Sequence, residues 1–81
     1  MHIPKYGVNR RELDHFFQQL GGSVIHLRRT GEVQYVHPMF SSRPRADGRR
    51  KDAPRHLVHF VLSVVRIVGV EAANDEEFRD D

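Results

Sequence analysis

The stretch His56-Leu-Val-His-Phe-Val-Leu-Ser-Val-Val-Arg-Ile-Val-Gly69 decides how the rest of the chain is read. Its valines favour a strand by composition, because β-branched side chains suit a pleated surface. Its spacing favours a helix. Leu57, Phe60, Val61, Val64, Val65 and Val68 recur at i, i+3, i+4, i+7, i+8 and i+11, while His56, His59, Ser63 and Arg66 gather on the opposite side. A strand would alternate every second residue. Asp52 with Pro54 supplies a start signal and Gly69 a stop, so a helix is predicted over residues 53–68. Val58, Leu62 and Ile67 widen its apolar arc beyond what one thin sheet would cover. That excess predicts a homodimer contact, or a seat for a partner protein, along residues 57–68.

Upstream of this helix, Asn9-Arg-Arg-Glu12 fits a capping box, and Leu13, Phe16, Phe17 and Leu20 repeat with helical period before Gly21-Gly22. A first helix is therefore predicted over residues 10–20. Two β-rich runs follow, Ser23 to Arg29 and Glu32 to His37, joined by Thr30-Gly31, which is hairpin spelling. Val33, Tyr35 and His37 share one face of the second run; in the first, Ile25 and Leu27 oppose Val24, His26 and Arg28. Arg43 to Arg55, with two prolines and a glycine, has loop composition. The fold class is α+β, a small α-β-β-(β)-α domain with an antiparallel sheet and both helices on one of its faces.

At 81 residues the chain has room for one domain, assigned here to residues 1–70. The absence of cysteine excludes disulfides, thiolate zinc sites and cysteine nucleophiles. Met1 to Arg11 lacks the apolar run of a secretory signal, and Leu57 to Val68, interrupted by His59, Ser63 and Arg66, falls short of a membrane span, which makes the cytoplasm the expected compartment. The formal net charge of +2 hides two opposed blocks. Residues 71–81 carry six acids against Arg79 alone, leaving +7 on the first seventy residues. With few apolar groups to bury, that acidic end is predicted to be a disordered tail.

The densest basic stretch, residues 43–55, holds Arg43, Arg45, Arg49, Arg50, Lys51 and Arg55 against Asp47 and Asp52. Guanidinium groups fork onto phosphate oxygens, so cations strung along a loop suit a phosphate chain. Nucleic acid is the expected partner, RNA or DNA, with Arg28 and Arg29 extending the patch. The competing account is a solubilising charged loop, or a small regulator or inhibitor that grips another protein through the valine helix or the arginines. Tyr35 is a candidate for stacking on bases, although an aromatic on a hairpin more often packs in a core. His56 and His59, at i and i+3, share a helix face, but no third ligand is placed, so no metal and no cofactor is expected.

Arg11-Glu-Leu13 on a short helix, Gly21-Gly22, a hairpin ending Tyr35-Val-His-Pro38, a polar loop and a helix opening Pro54-Arg-His-Leu57 together resemble the HicA toxin family. The resemblance spans residues 10–68. It implies a double-stranded-RNA-binding-like α-β-β-β-α fold, messenger-RNA cleavage and neutralisation by a cognate antitoxin. That family's catalytic histidine lies in a Gly-Ser-His motif on the second strand, and Glu32 occupies the corresponding place here. Metal-free RNA cleavage needs a general base and a proton donor, roles that imidazole fills near neutral pH. His26 and His37, both on the predicted hairpin, are the candidates for that couple.

Overall fold

The computed structural model describes residues 8–78, with side chains over residues 8–69. Its elements run α1 (Arg10–Gln19), β1 (Ser23–Leu27), β2 (Glu32–Val36), β3 (Arg45–Asp47) and α2 (Arg55–Phe78). The three strands form one antiparallel sheet in the order β1-β2-β3. This is an α+β arrangement of two helices and a three-stranded sheet.

The capping box closes α1 as its spelling requires: Asn9 is extended, and its side-chain oxygen accepts from the Glu12 N–H at 3.1 Å. Leu13 and Phe17, one turn apart, are buried. At the other end Gly21 takes φ +88, and the N–H groups of Gly21 and Gly22 return to the carbonyls of Gln18 and Phe17. That left-handed step ends the helix and turns the chain into the sheet.

Register then sorts the strands into two faces. Val24 lies opposite Tyr35, His26 opposite Val33, and Val33 opposite Ala46, so these residues share the face that carries the helices. Ile25, Gln34 and Arg45 occupy the other face. The core is the seam between the inner face and both helices: Leu13, Phe17, Val33, Tyr35, Leu57, Val61 and Val64 are each exposed by less than 2 %. Phe17 stacks on Tyr35 with centroids 4.5 Å apart, and an edge-on series through Phe60, Phe40 and His37 extends the cluster.

Two expectations are corrected. Residues 45–47, read as loop, form a third strand whose one inward residue, Ala46, is 6 % exposed. A three-residue strand with a single apolar position has no alternation to detect; pairing with β2 creates it, helped by the Tyr35 N–H donating to the Pro44 carbonyl at 2.9 Å. The second correction concerns α2, which passes through Gly69 and ends at Phe78 instead of residue 68. A helical glycine costs about 1 kcal/mol against alanine, a penalty that a following run of Ala and Glu can offset. Residues 71–78 are thus helical where an unstructured tail was expected, and residues 79–81 lie outside the described residues.

Within α2 the buried arc is Leu57, Val58, Val61 and Val64, with Phe60, Leu62, Val65 and Val68 half-buried around it and Ile67 44 % exposed. Among the described residues no helix is long and apolar enough to cross a membrane.

Candidate nucleic-acid interface

The basic segment is shaped by two tethers to the rest of the fold. The first is a short antiparallel contact in which Asn9 faces Asp52. There the Arg10 N–H donates to the Lys51 carbonyl at 2.7 Å, and the Ala53 N–H donates to the Val8 carbonyl at 2.8 Å. The second is the turn after β3. Gly48 donates its N–H to the Gly31 carbonyl at 2.9 Å, and a Cβ on Gly48 would stand 2.7 Å from that same oxygen. Only glycine lets the two turns approach so closely.

Arg10 holds the turn from below. Its side chain is 7 % exposed, with Nη1 on Asp14 Oδ2 at 2.7 Å and Nη2 donating to the Gly48 carbonyl at 3.2 Å. The other Asp14 oxygen accepts from the Tyr35 hydroxyl. Burial, then the Asp14 hydrogen bond, push the Tyr35 phenol well above its ordinary value, so it stays protonated. The aromatic considered for base stacking is a core residue with no exposed surface.

Above this floor the other arginines stand in solvent. Arg49 and Arg50 have side chains 80 % and 81 % exposed, and both reach Asp47, at 3.4 and 3.9 Å. The Arg49 backbone N–H donates to Asp47 Oδ1 at 2.9 Å, and this bond, with the guanidinium beside it, holds the Asp47 carboxyl below its usual value. Arg45 approaches Glu32 at 3.9 Å. Exposed pairs at these distances are screened by water and stabilise little, so the cations are only weakly neutralised. Among the described residues Arg11, Arg43, Lys51 and Arg55 make no ion pair.

Two hollows flank Lys51. One, about 670 Å³, runs between β3 and the segment entering α2 and is lined by both signs of charge, including Glu32, Asp47, Asp52, Arg45 and Arg50. The other, about 420 Å³, lies where α1 begins and is lined by Asn9, Arg10, Arg11, Gly48, Arg49, Arg50 and Lys51, with no carboxylate. Arg43, Arg45, Arg49, Arg50, Lys51 and Arg55 thus follow one continuous segment, whereas Arg28 and Arg29 sit in the turn between β1 and β2. Sequence reasoning missed Arg10 and Arg11, because first-turn residues of an amphipathic helix carry no mark of what will fold against them.

The two histidines are not brought together. His37 is 3 % exposed; its Nε2 donates to the Leu20 carbonyl at 2.8 Å and its Nδ1 accepts from the Met39 N–H at 3.1 Å. Both ring nitrogens are engaged, which leaves neither open for proton transfer with a substrate. His26 is exposed and paired with Val33, four positions before His37, which follows the end of β2, a separation of about 13 Å at strand rise. An acid–base couple acting on one ribose needs both groups within hydrogen-bond reach, and this geometry does not supply that. His56 Nε2 bonds the Arg45 carbonyl at 2.8 Å, while His59 lines a shallow hollow with Leu62, Ser63 and Arg66. Among the described residues no three His, Asp or Glu side chains converge as metal ligands.

Compared with protein-family models, with curated proteins and with solved structures, the chain matches none.

Proposed function

We propose that this protein is a cytoplasmic nucleic-acid-binding module, with RNA the favoured ligand, that contacts the phosphate backbone through Arg43, Arg45, Arg49, Arg50, Lys51 and Arg55. The observation that carries the reading is the turn after β3, which lifts Arg49 and Arg50 into solvent at 80 % and 81 % exposure with Asp47 as their shared counter-charge. A string of weakly neutralised cations on an anchored backbone is what counterion release from a phosphate chain requires. Arg28 and Arg29, in the hairpin turn, extend the contact. The order α1-β1-β2-β3-α2 is the one that the HicA resemblance implies, and it supports a domain of that build. Glu32 at the family's histidine position, and His37 held in the core, favour binding without cleavage.

Affinity should fall between about 50 and 200 mM salt with a log–log slope near −0.9 for each phosphate neutralised on duplex. Replacing Arg49, Arg50 and Lys51 together with alanine should make that slope shallower by about 2 to 3. An unchanged slope overturns the assignment. A labelled transcript incubated with the purified protein should remain intact, and specific cleavage would restore the enzymatic reading.

A second reading rests on Ile67, 44 % exposed on α2. There the valine helix meets another protein, a second copy or a cognate antitoxin. Sedimentation across micromolar concentrations tests the homodimer, and Ile67→Glu should abolish any concentration dependence.

A further inference from the structure

The carboxylate-free hollow at the start of α1 differs in kind from the rest of the basic surface. Four observations converge there. Its cationic lining, Arg10, Arg11, Arg49, Arg50 and Lys51, comes from two segments that the Arg10–Lys51 and Arg10–Gly48 hydrogen bonds hold against each other. Arg10 and Arg11 occupy the first turn of α1, where the helix dipole is already positive, an arrangement that disfavours cations unless an anion is present. Asp14 neutralises Arg10, while Arg11 and Lys51 have no ion-pair partner among the described residues. Finally Arg10, 6 % exposed, lines the hollow and is held by Asp14 and the Gly48 carbonyl, while its Nε–H is buried without a partner.

We propose that this cleft is a discrete phosphate-binding site, in which Arg11, Arg49, Arg50 and Lys51 converge on one phosphate group above the first turn of α1. The inference deepens the nucleic-acid reading by giving one phosphate a built seat, whereas the remaining arginines follow the backbone without fixed positions. Glycine at position 48 serves the site as well as the fold, because the turn it makes sets Arg49 and Arg50 on the rim. The cleft volume of about 420 Å³ leaves room for a phosphate and part of its attached sugar.

The test is a backbone-amide NMR titration of the full chain with inorganic phosphate at fixed ionic strength, with chloride as the reference salt. Saturable shifts confined to residues 9–11 and 48–51 are expected; shifts that merely track ionic strength, or that spread evenly over the arginine segment, overturn the proposal. The double variant Arg11→Gln, Lys51→Gln should weaken phosphate by at least about tenfold, because it removes two charge-assisted contacts to the anion. Arg66→Gln, remote on α2, should leave phosphate binding unchanged. Should the double variant fail to fold, the map on the natural chain decides alone.

Two oligonucleotides of one sequence, with a 5′-phosphate or a 5′-hydroxyl, distinguish the sources. Preference for the first assigns the cleft to a terminal phosphate, and equal binding that perturbs the cleft assigns it to an internal one. Oligonucleotide binding that leaves residues 9–11 and 48–51 unperturbed removes the cleft and keeps the nucleic-acid reading. Saturable phosphate binding with no oligonucleotide bound at about 50 mM salt does the reverse.

Discussion

Arg10 and Arg49 lie on either side of one tight turn and serve opposite ends. Arg10 is sunk to 7 % side-chain exposure and directs its guanidinium to Asp14 and the Gly48 carbonyl; Arg49, one residue past that carbonyl, is 80 % exposed and pairs with the exposed Asp47. The difference lies in what surrounds the charge. A guanidinium taken out of water must be matched by hydrogen bonds, so Arg10 becomes a structural strut. One left in water costs little and stabilises little, so Arg49 is available to a ligand. The lesson is that a basic segment presents its charge usefully only where another charge, buried and compensated, holds its backbone still.

The largest expected effect that would break this contrast is on the buried side. Arg10→Ala should lower unfolding free energy by about 3 kcal/mol in urea, since it strands Asp14 and frees the Gly48 turn. Arg49→Ala with Arg50→Ala should change it by no more than about 0.5 kcal/mol. Equal effects would mean that the two regions do not differ as described.

Next in size is Tyr35→Phe, which removes the hydroxyl that Asp14 accepts from and should cost about 1 to 2 kcal/mol. The raised phenol also predicts an alkaline signature. Because its native value lies above the unfolded one of 10.0, its contribution is fully present below pH 10 and is lost as pH rises further. In a Tyr6→Phe background the phenolate absorbance should therefore appear only together with unfolding. Independent titration near pH 10 would show the Asp14–Tyr35 link to be absent.

The smallest effect concerns the exposed side. Asp47 has its carboxyl held low by the Arg49 N–H and guanidinium, so its contribution is present above the ordinary carboxylate value of 3.8 and is lost as pH falls below it. Asp47→Asn should slightly reduce the drop in Tm between pH 7 and pH 3, and added salt should shrink the difference. A change as large as that from Tyr35→Phe would contradict the view that the fringe is only weakly tied.

Much of the fold was legible because it depends on local period. Four successive turns of α2, the capped start of α1, and the shared face of Val33, Tyr35 and His37 all follow from spacing within one element. The arginine segment was legible as composition. Its division into strand, turn and cleft was not, because β3 exists only by pairing with β2, and Gly48 matters only because Gly31 comes to meet it.

The sequence by itself determined the two helices, the hairpin with its inward and outward residues, and the excess of cations between residues 43 and 55. These are properties of neighbours, read at helical or strand period. Tertiary structure alone decided that His37 joins the core, that His26 stands apart from it, and that Arg10 is buried while Arg49 is not. Each of those outcomes depends on a partner distant in the chain, such as the Leu20 carbonyl for His37 or the Gly48 carbonyl for Arg10. The free energy of a buried polar group is set by whether such a partner arrives, and local spacing does not encode its arrival.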